Sequence, residues 1–155
     1  MQRECVELIN SSEMLSQIQS GQVLLINSRQ RNGLILGKRF HAEFAGPGAV
    51  VGGVFDLDCQ WIVPVGNLSL LHPASHEERQ KAYLIRRQWL KLTKQLTDDP
   101  SSLQRAQMLL NQFENYFDVE TVKHLPATAL AQLVGVLPQT IVLARSLADS
   151  ANRKA

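Results

Sequence analysis

Cysteine is scarce in this chain of 155 residues. Cys5 and Cys59 are the only two, and they form neither a Cys-x-x-Cys pair nor a disulfide framework. Two free thiols in a reducing cytoplasm is the implied state. Long apolar runs are missing as well: no stretch of roughly 18 such residues occurs, the length a membrane-spanning helix needs. The amino-terminal stretch carries Arg3, Glu4, Glu7 and Glu13, so it lacks the cationic start and unbroken apolar core of a signal peptide. A cytoplasmic protein, neither secreted nor membrane-bound, is expected. Nor does either charge dominate, since 16 Lys and Arg face 14 Asp and Glu for a formal +2. That excludes a generally basic nucleic-acid binder and confines any such affinity to local patches. Catalytic signatures are also absent: there is no Gly-x-Ser-x-Gly, no P-loop and no His-Glu-x-x-His, so no enzymatic activity and no cofactor are expected. Among the histidines His41, His72, His76 and His124, the pair at 72 and 76 has Pro73 between its members and no cysteine nearby. Surface or capping roles are expected for all of them, and no metal.

What is present is a globular composition, 45% apolar and 19% charged, enough to bury a core in one small domain or two compact subdomains. Glycine divides the chain, with eight of the nine before position 70 and only Gly135 after it. The fold class expected is α+β. A small β roll or barrel with a short leading helix would occupy residues 1–73, a long connecting helix 74–97, and a helical domain 98–155.

In the β part, Ser11 or Ser12 would open a helix that Gly21 stops. Val23-Leu24-Leu25-Ile26 reads as a strand, and Asn32-Gly33 as a tight hairpin turn into Leu34-Ile35-Leu36. Phe40, Ala42 and Phe44 alternate with polar residues, which predicts an inward-facing strand face. Gly46-Pro47-Gly48 turns the chain, and Val50-Val51, Trp61-Ile62-Val63 and Leu68-Ser69-Leu70 complete about six strands. Trp61 and Trp89 read as core or interface anchors. Asp56 and Asp58 read as loop solubilisers, and Arg29, Arg31, Lys38 and Arg39 as a small basic patch around the hairpin.

The helical part is more regular. Ser75 can cap a helix from His76 to Leu96, with Glu77 and Glu78 in its first turn. Its apolar positions Ala82, Ile85, Trp89, Leu92 and Leu96 step by 3, 4, 3 and 4, a two-heptad seam that suits a partner helix and makes these five the candidate dimer interface. After Asp98-Asp99-Pro100-Ser101, the positions Leu103, Ala106, Leu110, Phe113 and Phe117 repeat the stepping. Arg79, Lys81, Arg86, Arg87, Lys91 and Lys94 place six cations on the first of these helices. They fit either a phosphate-tracking face or a solvated one.

The most specific pattern runs from Ala127 to Ala144. A helix-turn-helix needs a small residue where its helices approach closest, a glycine for the left-handed turn, and apolar residues that lock the second helix onto its support. Ala131, Gly135 and Ile141 have that spacing, with Leu130, Val134, Val136 and Ala144 beside them. Pro138 suits the first turn of the second helix, whereas Leu137 stands where a capping Ser or Thr is usual. Gln139 and Thr140 on that helix could read base edges, and Arg145 could grip phosphate or guanine.

Together these segments resemble the Crp/Fnr superfamily of bacterial transcription regulators. The resemblance rests on Pro47-Gly48 to Gly52 for the β roll, on the long helix from His76, on Arg105 to Leu110, and on residues 128–146 for the helix-turn-helix. It implies a homodimeric, DNA-binding regulator in which Gln139, Thr140 and Arg145 contact DNA directly and Arg86, Arg87, Lys123, Arg153 and Lys154 contact phosphates. The pattern departs from the family at several points. Gly53 stands where nucleotide-binding members carry glutamate, and no Arg-x-x-[Ser/Thr] motif follows, so cyclic-nucleotide binding is not expected. The nine residues after Ser146 are too few for the family's β wing. The alternative is a non-enzymatic adaptor whose helix-turn-helix serves a protein partner instead of double-stranded DNA.

Overall fold

The computed structural model describes residues 11–153. Cys5 and Lys154 lie outside the described residues, as does the side chain of Arg153. The architecture is α+β. Helix α1 (Ser11–Gln19) leads into strands β1 (Val23–Ile26), β2 (Gly33–Gly37), β3 (Ala42–Ala45), β4 (Val50–Gly52), β5 (Trp61–Val65) and β6 (Leu70–Leu71), with a 3-10 turn at Val54–Asp56. Helices α2 (His76–Thr97), α3 (Ser102–Tyr116), α4 (Val119–Lys123), α5 (Ala127–Val134) and α6 (Pro138–Arg153) follow. Among the described residues no single helix is long and apolar enough to cross a membrane.

The strands form two antiparallel three-stranded sheets, ordered β4-β1-β6 and β3-β2-β5. Strand β2 lies between two cores, and its alternation serves both. Leu34 and Leu36 pack with Leu24 and Ile26 of the other sheet, while Ile35 faces Phe44, Val65 and the apolar residues of α3, α5 and α6. All three are fully buried, each contributing about 1.5–3 kcal/mol of burial energy.

The hairpin expected at Asn32-Gly33 does not form, because β1 and β2 belong to different sheets. Among the described residues none but glycine has positive φ, and Gly33 is not one of the glycines that do. Asn32 is instead buried. Its amide donates to the carbonyls of Asn27 and Gln30, and its oxygen accepts from the Ser69 N–H at 2.9 Å, pinning the crossing from one sheet to the other. Phe40 also departs from expectation. It sits at the tip of a turn closed by Lys38 N–H to His41 O, 84% exposed and beneath the Arg39 guanidinium, so only Ala42 and Phe44 follow the inward alternation.

The helical boundaries follow their caps. Ser75 Oγ accepts from Glu78 N–H, Ser101 Oγ from Gln104 N–H, and Asp118 Oδ1 from Thr121 N–H, each satisfying an otherwise orphaned donor. The α2 seam turns into its own chain: Ala82 packs on Leu25 and Val50, Ile85 on the inter-sheet core, Trp89 on Phe44, and Leu96 in the helical core. Leu92 alone of the five stays largely outside, so no continuous seam remains for a partner helix.

Candidate helix-turn-helix site

Helices α5 and α6 are bent by 105° across the three residues 135–137, within the roughly 90–120° of a helix-turn-helix. Gly135 makes the turn with φ 67° and ψ 43°, the left-handed region where a side chain costs energy. The N–H groups of Gly135 and Val136 both return to Ala131 O. Ala131 and Ile141 are buried in the same core, the roles their spacing predicts.

Arg105 holds this turn from α3. Its guanidinium donates to Val134 O at 3.0 Å, Gly135 O at 3.2 Å and Asp99 O at 2.7 Å. One side chain thereby satisfies the carbonyls that end α5 and ties the turn to the start of α3. Arg145, expected at DNA, is engaged in a comparable way: Nη2 donates to Val122 O at 2.9 Å and Leu125 O at 2.7 Å, closing the end of α4.

The outward side of the turn and of the first half of α6 is mainly aliphatic, whereas Ser146, Asp149 and Ser150 are exposed further along the helix. Leu137, Val142, Leu143 and Leu147 are 70%, 58%, 49% and 42% exposed. Gln139 is exposed and Thr140 half-buried among them. Lys123 and Arg87 are exposed on α4 and α2, but they supply the surface of other helices, not of α6.

Arg86 is not a phosphate contact. It is 4% exposed and lies at the centre of a buried charge cluster that the spacing did not foretell. Its Nη1 and Nη2 bind Asp56 Oδ2 and Oδ1 at 2.9 and 3.0 Å, Nη1 also reaches Val50 O, and Nη2 reaches Glu43 Oε1 at 3.2 Å. Lys38 Nζ joins from the other side, donating to Asp56 Oδ1 at 2.9 Å, Asp58 Oδ1 at 2.7 Å and Phe55 O. The Gly52 N–H completes the Asp56 carboxylate at 2.8 Å. Asp56 is thus a fully buried anchor, not a loop solubiliser, and Lys38 is withdrawn from the expected basic patch. Asp58 is surface-exposed yet paired.

The electrostatics follow from that geometry. Burial alone raises the Asp56 pKa, but the hydrogen bonds and charges of Arg86 and Lys38 outweigh it and hold the carboxyl below the usual range. Burial likewise lowers Lys38 and Arg86, and their carboxylate partners reverse the sign, keeping both cations protonated. Beside the cluster, burial and the Asp56 charge push the Cys59 thiol up to about 11.

Among the described residues no three His, Cys, Asp or Glu are placed to hold a metal ion. His41 pairs with Glu43 and His124 with Glu120 at the surface. No family model, curated protein or solved structure matches the chain.

Proposed function

We propose that this chain is a non-enzymatic adaptor whose helix-turn-helix docks a protein partner through α6. The observation that carries the reading is the character of the outward face: four aliphatic side chains project from the turn and α6, while the arginine nearest them is bound to main-chain carbonyls. DNA affinity is built chiefly on neutralised phosphates, and α6 offers no free cation in its first two turns. An exposed aliphatic stripe on a helix fits an apolar groove in another protein. The partner surface expected is therefore apolar and groove-shaped, with acceptors or donors for Gln139 at its rim.

The second reading, a DNA-binding regulator of Crp/Fnr-like type, is favoured by the 105° bend with its left-handed Gly135. Two measurements separate the readings. Under the adaptor reading, chemical crosslinking with mass spectrometry captures a stoichiometric protein partner that Leu143→Glu releases, and duplex DNA shows no saturable anisotropy change at about 50 mM salt. Saturable DNA binding that weakens steeply towards about 200 mM salt and is lost in Gln139→Ala would establish the regulator instead.

A further inference from the structure

A cavity of about 410 Å³ opens between α2 and α3, walled by Phe44, Trp89, Phe113, Tyr116 and Phe117 and bordered by Leu92. We propose that it binds a neutral, ring-bearing small molecule. Its volume lies in the range of small-ligand sites, roughly 300–1,000 Å³, and suits one compact ligand rather than a protein segment.

The chemistry of the walls selects the occupant. None of the described residues lining the cavity is charged, so a carboxylate or phosphate would lose its hydration with no compensating partner. The rings come from three elements and already meet edge to face: Phe44 and Trp89 have centroids 5.4 Å apart at 90°, and Trp89 and Tyr116 5.4 Å apart at 80°. A further aromatic ring can continue that arrangement, which favours edge and offset contacts. The Trp89 position is fixed from behind. Its indole lies directly over Gly46, where a Cβ would overlap the ring, so the wall is built rather than collapsible. The walls carry two polar groups, the Trp89 indole N–H and the Tyr116 hydroxyl, and the other polar lining residues are Thr93, Gln112 and Asn115. The Thr93 hydroxyl is engaged with Trp89 O at 3.0 Å, which leaves the exposed amides of Gln112 and Asn115 to meet one polar end of the ligand.

The test uses the full chain and the neutral fluorophore N-phenyl-1-naphthylamine. Saturable one-to-one enhancement of its emission, with quenching of tryptophan fluorescence, is expected. Leu92→Glu sets a charge at the border and should weaken the affinity at least tenfold, and Asn115→Trp, which fills the mouth, should do the same. Leu84→Glu, the same exchange at an exposed position of α2 outside the cavity, should bind as the parent does, with circular dichroism verifying the fold of each variant. Absence of saturable binding overturns the proposal. So does equal affinity in Leu92→Glu and Asn115→Trp, or loss in Leu84→Glu, which would place the fluorophore elsewhere.

Discussion

Removing the Asp56 carboxylate should be among the most damaging single changes in this chain. Asp56→Ala deletes four hydrogen bonds at once, from Lys38, from both Arg86 nitrogens and from the Gly52 N–H. Arg86 would retain Glu43 and Val50 O, and Lys38 would retain Asp58 and Phe55 O. Two buried cations would then share anions that are themselves partly solvated. Breaking a buried pair by removing one partner costs about 3–5 kcal/mol. At about 2–4 °C per kcal/mol for a protein of this size, Tm should fall by roughly 6–20 °C in a calorimetric or circular dichroism melt. The effect is also signed in pH. Because the folded carboxyl titrates below its ordinary 3.8, the unfolded chain binds more protons between the folded pKa and that value. The cluster's contribution is therefore full above about pH 4 and is lost as pH falls through the folded pKa. Asp56→Asn should flatten that acid limb. The double variant Asp56→Leu/Arg86→Met should lose less than the sum of the single changes, because neither charge is then stranded. A loss under about 1 kcal/mol for Asp56→Ala, or additive losses in the double variant, would falsify the account of a coupled buried cluster.

Three further outcomes follow from particular contacts. Gly135→Ala should cost about 1–2 kcal/mol from left-handed backbone strain alone, since a Cβ there would touch nothing within 4 Å; urea titration measures it, and a neutral result would refute the left-handed turn. Arg105→Ala frees the carbonyls at the end of α5 and should cost about 1.5–3 kcal/mol, with hydrogen exchange rising first in residues 131–141; unchanged exchange there would contradict the clamp. In a Cys5→Ser background, Cys59, buried and with its thiol pushed up to about 11, should react with Ellman's reagent at pH 8 only after unfolding; prompt native reaction would show that the thiol is accessible.

Regular periodicity made most of the helical half readable. The stepping of α3 and the serine caps at 75 and 101 report local energetics that tertiary packing reinforces, and the Ala131, Gly135 and Ile141 spacing carried the turn geometry with it. The misread positions are those decided by distant partners. Asn32-Gly33 has the composition of a hairpin, yet Asn32 finds its acceptor role at Ser69, 37 residues away, and that bond redirects the chain between sheets. Phe40 continues a period of two by sequence alone, but the turn at Lys38–His41 ends the strand side of that pattern. Asp56 and Arg86 lie 30 residues apart. No local signal distinguishes an acid that will be buried against an arginine from one that will stay in water. The α2 seam was legible as apolar, but its partner was not, because a two-heptad stripe packs equally well on a second helix or on a sheet of its own chain.

That ambiguity explains what the buried charges add. The α2 stripe steps by 3, 4, 3 and 4 and is apolar throughout, so sliding α2 by one turn, about 5.4 Å, would still set apolar groups against the sheets, at the cost of lifting Trp89 off Gly46. The same slide would separate Arg86 from an Asp56 carboxylate held at 2.9–3.0 Å and strand the guanidinium in an apolar interior, leaving Asp56 with Lys38 and the Gly52 N–H alone. The penalty for the wrong register is then several kcal/mol, whereas the net stabilisation of the right one over an apolar replacement is small. Discrimination between registers, more than added stability, is the physical role this cluster can fill. It fixes Trp89 over Gly46, and with it the wall of the aromatic cavity and the position of α2 against α3. The apolar seam brings α2 to the sheets, and the Asp56–Arg86 pair decides where along the helix it stops.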